Sequence, residues 1–185
     1  MVGFASGANN LTQGLKNMEA SADVTAVNNV IDNLTADGGT LIDEGISTAN
    51  SIFQANPIAA GTKRNRVMIV FTDGAPGLYG NWESNSVTTA NNAIKNAQTA
   101  KKSTSDGGYG ATVYTIGVFS GADASNPETL PAFTKYTTGW GEVAPSDEDQ
   151  IKNSNRFMHL VSSNYPSASN ITTTGSINPN LNGSS

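Results

Sequence analysis

The sequence predicts an α/β fold: a doubly wound, mostly parallel sheet flanked by helices. Two apolar runs, VMIVF at 67 to 71 and VYTIGVF at 113 to 119, have the length and β-branched content of strands. Between them Val87, Ala90, Ile94 and Ala97 recur at helical spacing, with the Lys101 stem extending the same face. Strand, helix and strand within about fifty residues make a βαβ unit, the building block of a parallel sheet.

Taken in order, Val2 to Ala5 is a short strand closed by Ser6 and Gly7. Val24, Val27, Val30, Ile31 and Leu34 mark an amphipathic helix with Ser21 or Asp23 as N-cap and Gly38-Gly39 as its stop. A second helix begins at Thr40, with Asp43 three residues on as in a capping box, and carries Ile42, Ile46, Ala49 and Phe53 on one face until Pro57. Gly45 inside it costs about 1 kcal/mol against Ala, so a packing reason is expected. The run at 67 to 71, lacking polar alternation, reads as a strand buried on both faces. STSDGGYG is a turn region, and Pro127 to Tyr136 a short helix. The acidic SDED run at 146 to 149 reads as a solvated loop, and Ser154 caps a last helix through Phe157, Leu160 and Val161. Residues 1–168 form one domain and 169–185 a loosely ordered polar tail.

Composition excludes several classes. A net charge of −5 with only 10 Lys and Arg argues against nucleic-acid binding, which needs clustered cations. No cysteine is present, so disulfides and thiolate metal sites are ruled out. No stretch approaches the ~20 apolar residues of a membrane span, and MVGFASGANN lacks the charged start and long apolar run of a secretory signal. With charged residues at 14%, the surface must be covered largely by Asn, Ser, Thr and Gly, a mixture typical of exported proteins.

Candidate chemistry gathers at Asp73, the carboxylate that ends the run at 67 to 71. Ligands of open α/β sheets sit beyond the carboxyl ends of the strands, and Asp73 stands at such an end; a plain Asp-Gly turn is the alternative role. DGGTLIDEG at 37 to 45 offers the Thr40 hydroxyl beside two glycines, either as a ligand or as a helix cap. Hydroxyl and carboxylate oxygens together suit Mg²⁺. Tyr79 and Trp82 of GLYGNWES would hang beside Asp73, as partner contacts or as covers of the core edge. His159 has no nucleophile pattern near it and reads as structural or exposed.

VGFAS (2 to 6), GGTLIDEGI (38 to 46), RVMIVFTDG (66 to 74) and VYTIGV (113 to 118), in this order and spacing, resemble the von Willebrand factor A domain family, and NRFMHLVSSNYPSA (155 to 168) is similar to A domains of Gram-positive surface adhesins and pilus proteins. The resemblance implies a non-enzymatic adhesion module on the cell surface of a Gram-positive bacterium, with a metal-ion-dependent adhesion site. In it Thr40 would contact Mg²⁺ or another divalent cation directly or through water, Asp73 would hold a metal-bound water, and an acidic side chain of a host or matrix protein would complete the octahedron. The family's first strand ends in Asp-x-Ser-x-Ser, and nothing of the kind precedes Val2; its last strand is also missing after Pro166. The expectation is therefore a domain truncated at both ends, binding metal weakly and leaving two unpaired sheet edges. Two other functions compete: a structural pilus or wall element with a degenerate site, and a Mg²⁺-dependent phosphohydrolase of haloacid-dehalogenase type with Asp73 as nucleophile. The second wants another aspartate where Phe71 stands.

Overall fold

The computed structural model describes residues 1–35, 37–73, 75–77, 84–124, 146–163, 170–171 and 177–178. Elements in chain order are β1 (Val2–Phe4), β2 (Ala8–Asn10), α1 (Ser21–Asp32), α2 (Ile42–Ala55), β3 (Arg66–Thr72), α3 (Ser84–Lys101), β4 (Ala111–Gly117), α4 (Asp147–Val161), β5 (Asn170–Ile171) and β6 (Ile177–Asn178). The fold is mixed α/β, and its centre is the parallel pair β3–β4, in register from Arg66 opposite Ala111 to Thr72 opposite Gly117. Two antiparallel pairs stand apart: the hairpin β1–β2 and the two-residue pair β5–β6. The helix expected over 127 to 136 lies outside the described residues, as does most of the tail.

The core forms where α2, α3 and α4 meet one face of the parallel pair. Met68 and Val70 of β3 and Ala111 and Val113 of β4 point into it, against Ile42, Ile46, Ile94, Phe157 and Leu160. Small residues let the helices approach, since Ala90, Ala93, Ala97 and Ala100 of α3 are all fully buried. Asparagines then fix the α2–α3 register: the Asn50 side chain donates to the Asn96 carbonyl (2.8 Å) and the Asn96 side chain to the Asp43 carbonyl (3.0 Å). At the start of β3, Arg66 donates to the carbonyls of Phe53 and Asn56 at the end of α2 and to that of Tyr109 before β4. A cation at a helix C-terminus is stabilised by the dipole, and this one also lies 5.4 Å from the centre of the Phe53 ring.

Several expectations are corrected. β3 and β4 are not buried on both faces: Val67, Ile69 and Phe71, with Tyr114 and Ile116, are about half exposed or more, Ile69 reaching 63%. A continuous apolar run cannot reveal whether a second layer covers it, and among the described residues none does. β4 starts two residues earlier than expected and ends at Gly117. The polar stretch after Gly7 contributes β2, which the sequence did not suggest.

Helix starts also differ. α1 takes Ala20 as N-cap without a side-chain bond, because the Asp23 carboxylate instead accepts from the Asn17 backbone N–H (2.8 Å) and faces Lys16. It ends at Asp32, ahead of Gly38, and buries none of its residues. The Thr40–Asp43 capping box does not form, since the Thr40 backbone is engaged elsewhere and α2 begins at Ile42. SDED is no loop: Ser146 caps α4, its Oγ accepting from Asp149 N–H, with three carboxylates in the first turn where the dipole favours them. Ser154 is therefore a buried residue inside α4. Gly45 does have its packing reason, because a Cβ there would lie 2.7 Å from the Phe4 ring.

Candidate functional site

The loops beyond the C-terminal end of β3 gather around Thr40. Its backbone forms an antiparallel bridge with Gly77, N–H to carbonyl in both directions at 2.7 and 3.0 Å. Gly77 follows Asp73 by four residues, so the loop that carries Asp73 returns to the segment that carries Thr40. Asp73 itself is exposed, one residue past the last ladder position of β3. Gly77 has φ +128°, and a Cβ there would collide with Ser86 Oγ at 2.6 Å; the close return of this loop onto α3 requires glycine.

A third segment joins them from the hairpin. Ser6 Oγ accepts from the Gly39 backbone N–H (3.0 Å), and the Ala5 carbonyl accepts from Leu41 N–H (2.9 Å). Gly38, at φ +85°, passes so close to Ser6 that a Cβ would lie 2.6 Å from its Oγ. The rim thus brings a second hydroxyl, Ser6, against the Gly38–Gly39 turn. In the sequence Ser6 reads only as a residue that closes the first strand, because a serine at a strand end is common in ordinary turns. Glu44 at the start of α2 points the same way, its Oε2 being 3.8 Å from where a Gly7 Cβ would sit.

The donors at this rim are alcohols and carboxylates, hard oxygens of the kind that bind Mg²⁺. Among the described residues no three of Asp, Glu and His gather as a metal-binding group. Tyr79 and Trp82 lie outside the described residues.

A larger hollow, about 370 Å³, shares none of these residues and lies beside β4 and α4. Tyr114, Phe119, Met158 and His159 help line it. Burial lowers the His159 pKa, partly opposed by a hydrogen bond to the Asp123 backbone, so the imidazole is neutral at physiological pH. Asn155 accepts from Asp123 N–H (2.7 Å) and donates to the Gly121 carbonyl (2.8 Å), tying down the loop over the hollow. Both side chains thus hold the turn after β4, in keeping with a structural role for His159. Among the described residues no helix is long and apolar enough to cross a membrane.

In comparisons with protein-family models, curated proteins and solved structures, nothing matches the chain.

Proposed function

We propose that the chain is a non-enzymatic protein-binding module of the von Willebrand factor A type, with a doubly wound sheet, displayed on the surface of a Gram-positive bacterium. The observation that carries this reading is the Thr40–Gly77 bridge, which ties the loop after Asp73 to the Gly38–Leu41 segment. In this reading Mg²⁺ is a template that accepts a carboxylate oxygen from a host or matrix protein. Thr40 and Asp73 would hold it, and Tyr79 and Trp82 would touch the partner. Ser6 orients the Gly38–Gly39 turn, and with it the approach of Thr40.

Two protein oxygens supply only part of an octahedron, so waters must complete the shell and affinity is low, in the range of ~0.1–1 mM or weaker. Titration with Mn²⁺, followed by paramagnetic broadening of amide resonances, tests this. Broadening centred on residues 38–41 and 73–77, and lost in Asp73→Ala and Thr40→Ala, is the expected result. Broadening that is unchanged in Asp73→Ala sinks the metal-dependent reading and leaves the structural one, a pilus or wall element with a degenerate site.

A further inference from the structure

Asp-Gly-Gly occurs twice among the described residues, at 37 to 39 in the turn before Thr40 and at 106 to 108 in the turn between α3 and β4. A further Asp-Gly pair starts at Asp73, but its glycine lies outside the described residues. Because the two tripeptides are identical, their intrinsic chemistry is the same, and a difference in reactivity between them is set by the fold.

Aspartyl-glycyl bonds isomerise when the glycine peptide nitrogen attacks the aspartate Cγ. A new N–Cγ bond forms, the Cγ–OH bond of the protonated carboxyl breaks, and the hydroxyl leaves with the amide proton as water, giving a cyclic succinimide. Water then adds to either carbonyl of the ring. Addition at Cγ restores aspartate, whereas addition at the α-carbonyl breaks its bond to nitrogen and leaves the main chain running through Cγ as isoaspartate. Glycine favours the attack because no Cβ hinders the approaching nitrogen. Hydrogen bonds that hold the N–H or the carboxyl group oppose it, since the turn must open locally before the ring can close.

Exposure does not separate the two copies, because Asp37, Gly38, Asp106 and Gly107 are all exposed. Hydrogen bonding does. Asp106 Oδ2 accepts from Ser103 Oγ–H (2.6 Å), and the Asp106 N–H reaches the Ser103 carbonyl (3.1 Å) and Oγ (3.3 Å). Gly107 N–H donates to the Thr104 carbonyl (3.4 Å) and Gly108 N–H to the Ser103 carbonyl (2.9 Å). A Cβ on Gly108 would overlap the Lys102 backbone, so this turn has little room to shift. At the other copy, among the described residues, the Asp37 carboxylate meets no donor or cation and the Gly38 N–H meets no acceptor. Only the residues that follow are anchored, Gly39 N–H to Ser6 Oγ (3.0 Å) and Thr40 N–H to the Gly77 carbonyl (2.7 Å).

We infer that Asp37 is a modification site, isomerising to isoaspartate in the folded chain while Asp106 is protected by its turn. The consequence for the rim follows from geometry. Isoaspartate lengthens the main chain by one carbon just ahead of Gly38, which lies so close to Ser6 that a Cβ there would be 2.6 Å from its Oγ. The insertion displaces Gly39 from Ser6 and loosens the Thr40–Gly77 bridge, whether or not the rim holds a metal.

The full chain is aged at physiological temperature and pH, both native and in guanidinium chloride, and isoaspartate is quantified at each position by electron-transfer fragmentation of its peptides. In the native chain isomerisation is expected to be at least ~10-fold faster at Asp37 than at Asp106, and in denaturant the two rates should agree within about 2-fold. Ser103→Ala removes the hydroxyl that holds the Asp106 carboxylate, and should raise the rate at Asp106 while leaving that at Asp37 unchanged. Asp37→Glu keeps the charge but requires a larger ring that closes far more slowly, and should abolish labelling of this position by isoaspartyl methyltransferase. In the aged native chain, amide exchange at Thr40 and Gly77 should be faster than in a fresh sample. Should Ser103→Ala fail to fold, the comparison of native and denatured chains decides alone. Equal rates at the two positions in the native chain, a faster rate at Asp106, or an undiminished preference for Asp37 in denaturant would each overturn the proposal.

Discussion

Lys101 ends α3 with its ammonium donating to the Leu160 (3.2 Å) and Ser162 (2.9 Å) carbonyls at the end of α4. Those carbonyls favour the cation, but burial lowers its pKa from 10.5 to about 8. Between these values the unfolded chain holds a proton that the folded chain has released. Stability from this group is therefore least below about pH 8 and rises as the pH climbs towards 10.5, by about 1 kcal/mol per pH unit. Urea unfolding of the native chain and Lys101→Met across that window should show their stability difference moving by this slope. A constant difference would mean that the amine titrates normally. Gly45→Ala makes a second demand. Helix propensity favours Ala by about 1 kcal/mol, yet its Cβ would lie 2.7 to 3.2 Å from Phe4 Cδ1, Cγ and Cβ, so the whole side chain and with it β1 must move. A net loss of about 1–2 kcal/mol is expected from the denaturation midpoint, and an unchanged or higher midpoint would refute the contact. The glycine's packing role was legible because a propensity cost inside a periodic helix needs a reason. Lys101 read only as an apolar stem, because its acceptors lie about sixty residues further along the chain and no local pattern points to them.

Helices and strands were legible wherever a period repeated, and illegible wherever a cap or a second layer decided the outcome. The apolar face of α2 emerged as read, with Ile42 and Ile46 buried. Its start did not, because Thr-x-x-Asp matches a capping box in any chain, whereas here the Thr40 backbone bonds to Gly77, 37 residues on by the numbering of that bridge. Conversely, Ser146 and Asp149 do form a cap, hidden by the acidic run around them. α1 is the sharpest case. Its four apolar positions, Val24, Val27, Val30 and Ile31, predicted burial, yet none of its residues is buried, and Ile31 is 49% exposed. A helix of 12 residues without tertiary packing is marginal in water. Hydrogen exchange should therefore strip the α1 amides first and protect α3, whose alanine face is fully buried, at least ~100-fold more strongly. Protection of α1 equal to that of α3 would show that its apolar face is covered in solution.

For the molecule as a whole, the decisive asymmetry is between the two faces of the β3–β4 pair. One face holds the core. The other presents Val67, Ile69, Phe71, Tyr114, Ile116 and Val118, each between 46% and 63% exposed. At on the order of 100 Å² apiece, these six make a contiguous patch of roughly 600 Å², at the upper end of what a soluble monomer shows. Such a surface binds an amphiphilic dye without any unfolding. Anilinonaphthalene sulfonate should therefore fluoresce with the native chain at neutral pH, where the near-ultraviolet dichroism still reports fixed packing. That combination separates an open native face from a molten state, which loses the near-ultraviolet signal. Ile69→Thr with Ile116→Thr keeps the β-branched shape suited to strands and removes apolar area only from the exposed face. Stability should change by no more than about 0.5 kcal/mol per site, while dye fluorescence falls by about half. If the double variant binds dye as strongly as the native chain, the open face is not what the dye reads, and another layer must lie over it.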